Sequence, residues 1–254
     1  MSSADATSAS SAQTGSQTLA RGIRALEILA EASTPLTIAE LAEHLDVHRS
    51  IAYRILRTLE EHGLVVRDIA GRIELGPRLA ALARGVARDL QTAALPELTQ
   101  VANDLKMTAF LTVLDRTEVI TLVSVEPRHA YGTVAQHPGT RHPLWQGAPG
   151  HAIASTLNAA ELAQVAPDRR ATDGAPAALG EVVRHQGFAT SQDEVITGVS
   201  SIAVPLRIER LAPAALAVVF VGSVPAGELA ASTTTEQVAA RLQAAAEAIR
   251  LELS

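Results

Sequence analysis

The chain has 254 residues and a formal net charge of −6, with hydrophobic residues making up 47% of it and no cysteine. That length suits two modest domains, and no apolar run approaches the roughly 20 residues that a membrane-spanning helix needs. Without cysteine there is neither a disulfide framework nor thiolate chemistry, and an acidic chain can hold a polyanion only through a local basic patch.

The opening "MSSADATSASSAQTGSQT" carries no basic residue and no apolar core, so it fails as a secretory or transit signal. Residues 1–18 are expected to be a disordered tail, and the missing signal points to the cytoplasm. "LARGIRALEILAEA" then places Leu19, Ile23, Leu26 and Leu29 at the spacing of an amphipathic helix, ended by Pro35. In "TIAELAEHL", Thr37 and Glu40 form a capping box that starts a second helix. A third is predicted from about His48 to His62, stopped by Gly63. "LVVRDIAGRIEL" reads as a hairpin turning at Ile69-Ala70-Gly71. Three helices and a hairpin, with a tight turn between the second and third helices, are the layout of a winged helix-turn-helix over 19–78.

The third helix has two faces. At about 100° per residue, Arg49, Ser50, Tyr53, Arg54 and Arg57 fall within an arc of roughly 140°. Ile51, Ala52, Ile55, Leu56 and Leu59 fall opposite. The first arc holds three guanidinium forks, a phenol and a hydroxyl with no acid among them. Such a helix fits the DNA major groove, where arginine grips guanine with two hydrogen bonds and residues near the helix start approach the bases. The expected DNA contacts are Thr37, His48, Arg49, Ser50, Tyr53, Arg54 and Arg57, with Arg67 and Arg72 at the hairpin meeting the sugar-phosphate backbone. The competing reading is a solvated helical face in an ordinary three-helix domain.

Pro77 suits a first helical turn, and Leu79, Leu82, Val86 and Leu90 make one narrow stripe. A linker helix is therefore expected over 79–94, covered by the next domain or by a second copy of itself. A short helix starting at Pro96 leads into "MTAFLTVLD" and "VITLVSVE", an antiparallel pair joined at Arg116-Thr117-Glu118. Further strands are expected in "YGTVAQ", "SIAVPLRI" and "PAALAVVFVG", with Pro205 marking an edge or a bulge. Helices are expected in "APGHAIASTL", in "AAELAQVA" capped by Asn158, and in "PAALGEVVRHQG". The last helix is expected to start at a capping box of Thr233 and Glu236. Residues 95–254 thus read as an α+β domain built on a largely antiparallel sheet.

Catalytic signatures are missing. "GVSSI" is not a nucleophile elbow, there is no phosphate loop or dinucleotide fingerprint, and the acid pairs Glu60-Glu61 and Asp193-Glu194 are adjacent, so their side chains diverge. His137, His142 and His151, with Asp193, are metal-ligand types, but their spacing matches no tight signature. No cofactor is expected.

"LTIAELAEHLDVHRSIAYRILRTLEEHGLVVRD", "GRIELGPRLAALA", "GTRHPLWQGAPGHAIAST" and "RHQGFATSQDEVITGVSSIAVPL" together resemble the IclR family of bacterial transcription regulators, over about Leu19 to Leu253. The resemblance implies a winged helix-turn-helix, a linker helix and a GAF-like effector domain. It also implies a homodimer or dimer of dimers that represses or activates from a double-stranded DNA operator, a small-molecule effector, no membrane and no enzymatic activity. The effector cavity would lie on one face of the sheet, closed by "RHPLWQGAPGH", with Gly147, Ala148 and Gly150 presenting N–H groups to an anion such as a carboxylate. Trp145 would be a pocket wall or a core filler. Where relatives often have cysteine this chain has Ser201, and where they often have serines it has Val219 and Val221. An expected acid falls at Asp193 or has slipped to Ser191. Those departures imply a relatively apolar pocket. The alternative is a GAF-like binding or catalytic module whose N-terminal helices serve only oligomerisation.

Overall fold

Ser16 Oγ accepts the Leu19 N–H and starts α1 (Gln17–Glu31), so the helix begins inside the stretch read as tail. This computed structural model describes residues 16–128, 134, 136–165, 174–222 and 234–254. The expected strand "YGTVAQ" and the cap at Thr233 lie largely or wholly outside the described residues. Two compact units meet between Val86 and Ala87.

In the first unit the capping box forms. Thr37 Oγ1 accepts the Glu40 N–H, the Glu40 carboxylate accepts the Thr37 N–H at 2.7 Å, and α2 (Ile38–His44) follows. Hydrogen bonds from the Thr37 backbone N–H and, secondarily, from its side chain hold the Glu40 carboxyl below the usual carboxylate range. After a break at Asp46, α3 (Arg49–Glu61) begins with His48 as its cap. Strands β1 (Val65–Arg67) and β2 (Ile73–Leu75) pair antiparallel, and Leu36 bridges to Ile73. The core is Ala25, Ile28 and Leu29 from α1, Leu41 from α2, Ile55, Leu56 and Leu59 from α3, and Val65 and Ile73 from the hairpin. Each large aliphatic side chain there contributes roughly 1.5–3 kcal/mol by leaving water.

The expected linker helix is broken. Short α4 (Arg78–Ala83) gives way to turns over residues 84–87, where Ala87 is left-handed (φ 43°). Then α5 (Arg88–Leu105) runs straight through Pro96, where a new helix was expected. Proline inside a helix costs about 3 kcal/mol, but burial of Leu90, Ala93, Ala94, Leu98, Val101 and Ala102 along one side outweighs it. The predicted leucine stripe is split accordingly: Leu82 and Val86 are exposed, while Leu90 is in the core of the second unit.

That unit is built on a six-stranded antiparallel sheet in the order β5-β4-β3-β8-β7-β6. Its strands are β3 (Thr108–Asp115), β4 (Glu118–Val125), β5 (Arg141–Pro143), β6 (Ala189–Gln192), β7 (Val199–Leu206) and β8 (Ala214–Val221). Neither β5 nor β6 was expected as a strand. Alternation sorts β8 between two cores: Leu216, Val218 and Phe220 face the layer of α5 and α9 (Thr235–Glu252). Ala215, Ala217 and Val219 face α6 (Gly147–Ser155). With both faces covered, the strand reads as one apolar run. Pro205 pairs with Ala215 beyond the end of β6, so it stands at a local edge inside an otherwise internal strand.

Two smaller helices complete the unit. Asn158 caps α7 (Ala159–Val165) by accepting the Ala160 and Glu161 N–H groups, and α8 (Gly174–Gln186) packs beside α6. The capping box of α9 forms between Thr234 and Gln237, one residue after the expected pair.

Candidate nucleic-acid interface and ligand cavity

The cap of α3 is itself a candidate contact. His48 Nδ1 accepts the Ser50 N–H at 3.3 Å and lies 2.9 Å from Ser50 Oγ. With Nδ1 accepting, the proton sits on Nε2, a donor available to a phosphate or a base edge. The side chains of Arg49 and Arg54 are exposed and make no ion pair or hydrogen bond to other described residues. Buried Ala52, Ile55, Leu56 and Leu59 hold the opposite face to the core, which fixes the direction of the arginines.

Not every predicted cation is free. Arg57 Nε donates to Glu61 at 2.9 Å, one helical turn on, so the arginine arc does have an acidic partner at its C-terminal end. Arg67 Nε donates to Glu60 at 3.1 Å and its guanidinium sits 5.8 Å from the centre of the Tyr53 ring. Tyr53, Glu60 and Arg67 thus tie the hairpin to α3. Arg72 donates to the Pro35 carbonyl at 3.0 Å, and Thr37 is engaged in its capping box. Residues as far as 37 positions apart had to be combined to see these pairings; the helical arc alone does not show them.

In the second unit, α6 lies flat on the sheet with all nine residues buried. Gly147 makes its entry with a left-handed backbone (φ 77°), and at Gly150 an added Cβ would sit 2.2 Å from the Leu144 carbonyl oxygen. Gly150 is therefore required by close packing against the chain. At the start of α6 the Gly147 N–H donates to a Glu194 carboxylate oxygen at 2.8 Å, and the Ala148 N–H donates to Ser191 Oγ at 2.9 Å. His151 Nε2 lies 3.3 Å from the same Glu194 oxygen and 3.4 Å from the Trp145 carbonyl. Both neighbours are acceptors, so Nε2 carries the hydrogen, and buried Nδ1 has no partner among the described residues.

Beside this helix start is a cavity of about 60 Å³, walled by Phe110, Val199 and Val219 from the sheet and by Val195 and Ile196 from the loop after β6. Its polar lining includes His142, Ser191, Glu194 and Ser201, and Ser201 Oγ is buried with no partner among the described residues. His142 Nδ1 lies 3.1 Å from the Pro143 carbonyl, and burial pushes the ring's pKa below 6.5.

Of the predicted effector contacts, Gly147, Ser201 and Val219 line this cavity, and Ala148 is at its edge through Ser191. Trp145 is half-buried against the α6 core. Val221 is exposed at the end of β8. Asp193 is exposed too, and its Oδ1 accepts the Gly198 N–H to close the loop base. The acid that reaches the site is Glu194, one residue later. Val195 and Ile196 were also missed, and Ser191 and His142 were named only as an alternative place for the acid and as a metal-ligand type; all four come from short strands and a loop that carry no periodic signal. His137 is exposed, and no group of three metal-ligand side chains forms among the described residues.

Comparison with known proteins bears on both units. Residues 18–68 match the model described as IclR helix-turn-helix domain, and residues 85–251 match that described as Bacterial transcriptional regulator IclR C-terminal. The chain is 32% identical over 205 residues to the HTH-type transcriptional regulator Rv1719 of Mycobacterium tuberculosis, covering 76% of this chain and 78% of that one. Among solved structures, an IclR transcriptional regulator from Alicyclobacillus acidocaldarius aligns with a TM-score of 0.80 at 28% identity, over 94% of this chain and 100% of that chain. An IclR homologue from Microbacterium hydrocarbonoxydans, complexed with 4-hydroxybenzoate, aligns with a TM-score of 0.77 at 25% identity, over 93% of this chain and 99% of that chain.

Proposed function

The chain belongs to the IclR family of DNA-binding transcription regulators, and from that premise we propose that it grips its operator through Arg49 and Arg54. A small carboxylic acid entering the cavity beside α6 then changes that grip. The observation that carries the DNA half is the pair of unengaged guanidiniums on the solvent face of α3, held there by an apolar opposite face. His48, Ser50 and Tyr53 flank them as base or phosphate contacts. Arg57, Arg67, Arg72 and Thr37 act as positioning groups, because each already has a partner in the protein. The effector role falls to the unit beginning at Ala87, and the protein works in the cytoplasm as a regulator, not an enzyme.

A homodimer or dimer of dimers suits an operator read by one α3 per half-site. Leu19 and Ile23, both exposed on α1, offer apolar area that a second copy would cover. For the effector, the relative complexed with 4-hydroxybenzoate supports an acid of aromatic size. A cavity of about 150 Å³ is known to hold a benzene, so the 60 Å³ found here requires Val195 and Ile196 to move outward.

Binding to operator fragments, selected from the protein's own genome, tests the reading. Affinity should fall steeply and linearly on a log–log plot as salt rises. Arg49→Ala and Arg54→Ala should each weaken binding by about 1–3 kcal/mol, while leaving the thermal transition in place. Footprints unchanged in both variants would remove α3 as the reading element.

A further inference from the structure

We infer that Glu194 is a built-in stand-in for the effector's carboxylate, and that effector and Glu194 exchange at the start of α6. The inference rests on the effector reading above and adds the atom that the effector must displace. The start of a helix of nine residues concentrates positive potential on its first N–H groups, and here the first of them is already held by a carboxylate. No Lys or Arg lines the cavity among the described residues. A second carboxylate therefore finds no charge left to pair with while Glu194 stays. Exchange solves this: one carboxylate replaces another on the Gly147 N–H, and the charge at the helix start does not change.

The site is built for more than a helix cap. Ser201 is only 8% exposed, its hydroxyl has no partner among the described residues, and it lines the same cavity as Glu194. That idle hydroxyl is a donor for an acid's second oxygen, which Glu194 does not engage. The loop is arranged to release Glu194 without unfolding. Its base is pinned by the Gly198 N–H on Asp193 Oδ1 and by the Asp193 N–H on the Val199 carbonyl. Its tip carries Glu194, with a side chain 35% exposed, beside Val195 and Ile196, which are half-exposed walls of the cavity. Rotation of Glu194 into water would move both walls outward, coupling the exchange to a larger cavity.

Acetate is the probe. Glu194→Ala should lower the midpoint of the effector unit's thermal transition by about 2–4 °C, the usual consequence of losing one cap. Sodium acetate should restore at least half of that loss with saturation, while sodium chloride at equal ionic strength restores none and the wild type responds to neither. Glu194→Gln, which keeps the side chain's length, should show the same acetate dependence at smaller amplitude, so the test survives poor folding of the alanine variant. Equal acetate responses in wild type and both variants, or none in any, overturns the stand-in. The effector reading fails separately: if acetate rescues the variants but no carboxylic acid up to the size of benzoate alters operator affinity, only that reading falls. If such acids act but acetate rescues nothing, only the stand-in falls.

Discussion

His142 shows how a single buried ring shapes the pH response of the effector unit. It sits on β5 with 7% of its surface exposed, and desolvation lowers its pKa below the ordinary 6.5, with His151 adding a smaller push in the same direction. The unfolded chain therefore takes up this proton first as pH falls. Stability from this group is full above about pH 6.5 and is lost as pH drops through the folded value. Glu161 and Glu247 are shifted down from 4.5 instead, so they act in a more acidic window. Replacing His142 with Gln should flatten the decline of the effector unit's melting temperature as pH falls below about 6.5. Melting curves recorded across that range check this; an unaltered slope would mean the ring titrates freely in the fold.

At the level of the element, α3 is less cationic than its arc of arginines suggests, because acids from its own last turn fold back on it. Glu61 holds Arg57 and Glu60 holds Arg67. Glu61→Gln should release Arg57, tighten binding to any duplex and steepen the salt dependence by about one phosphate contact. Preference among operator sequences should stay as it was, since Arg49 and Arg54 are untouched; a change in preference measured on mismatched operators would make Arg57 a base reader. The helices and hairpin around α3 were legible from sequence because periodicity, the Thr37 and Glu40 box and Gly63 all agreed. The course of α5 was not, because the local rule against Pro96 was overridden by burial that only the sheet supplies. Strands β5 and β6, of three and four residues, are too short to show a period. Glu194 was missed for a related reason: its partner N–H is 47 residues away, and only the folded sheet brings the two together.

Across the whole molecule, the separate cores predict separate unfolding. The core of the first unit runs from Ala25 to Ile73 and shares no residue with the two cores of the second. Multi-domain chains of this kind depart from two-state behaviour. Two glycines make the point testable, because each is pressed against backbone that cannot yield cheaply. A Cβ at Gly76 would lie 2.3 Å from the Gly63 carbonyl oxygen in the first unit, and one at Gly150 would lie 2.2 Å from that of Leu144 in the second. Overpacking of this sort costs about 1–3 kcal/mol or more. In calorimetry of the full chain, Gly76→Ala should lower one transition by about 4 °C or more and leave the other in place. Gly150→Ala should do the converse, by about 2 °C or more, the smaller shift reflecting the larger unit. Both variants moving a single shared transition would mean that the units fold as one cooperative body. An effector signal would then reach α3 through global stability, with no need for a switch confined to the loop that carries Glu194.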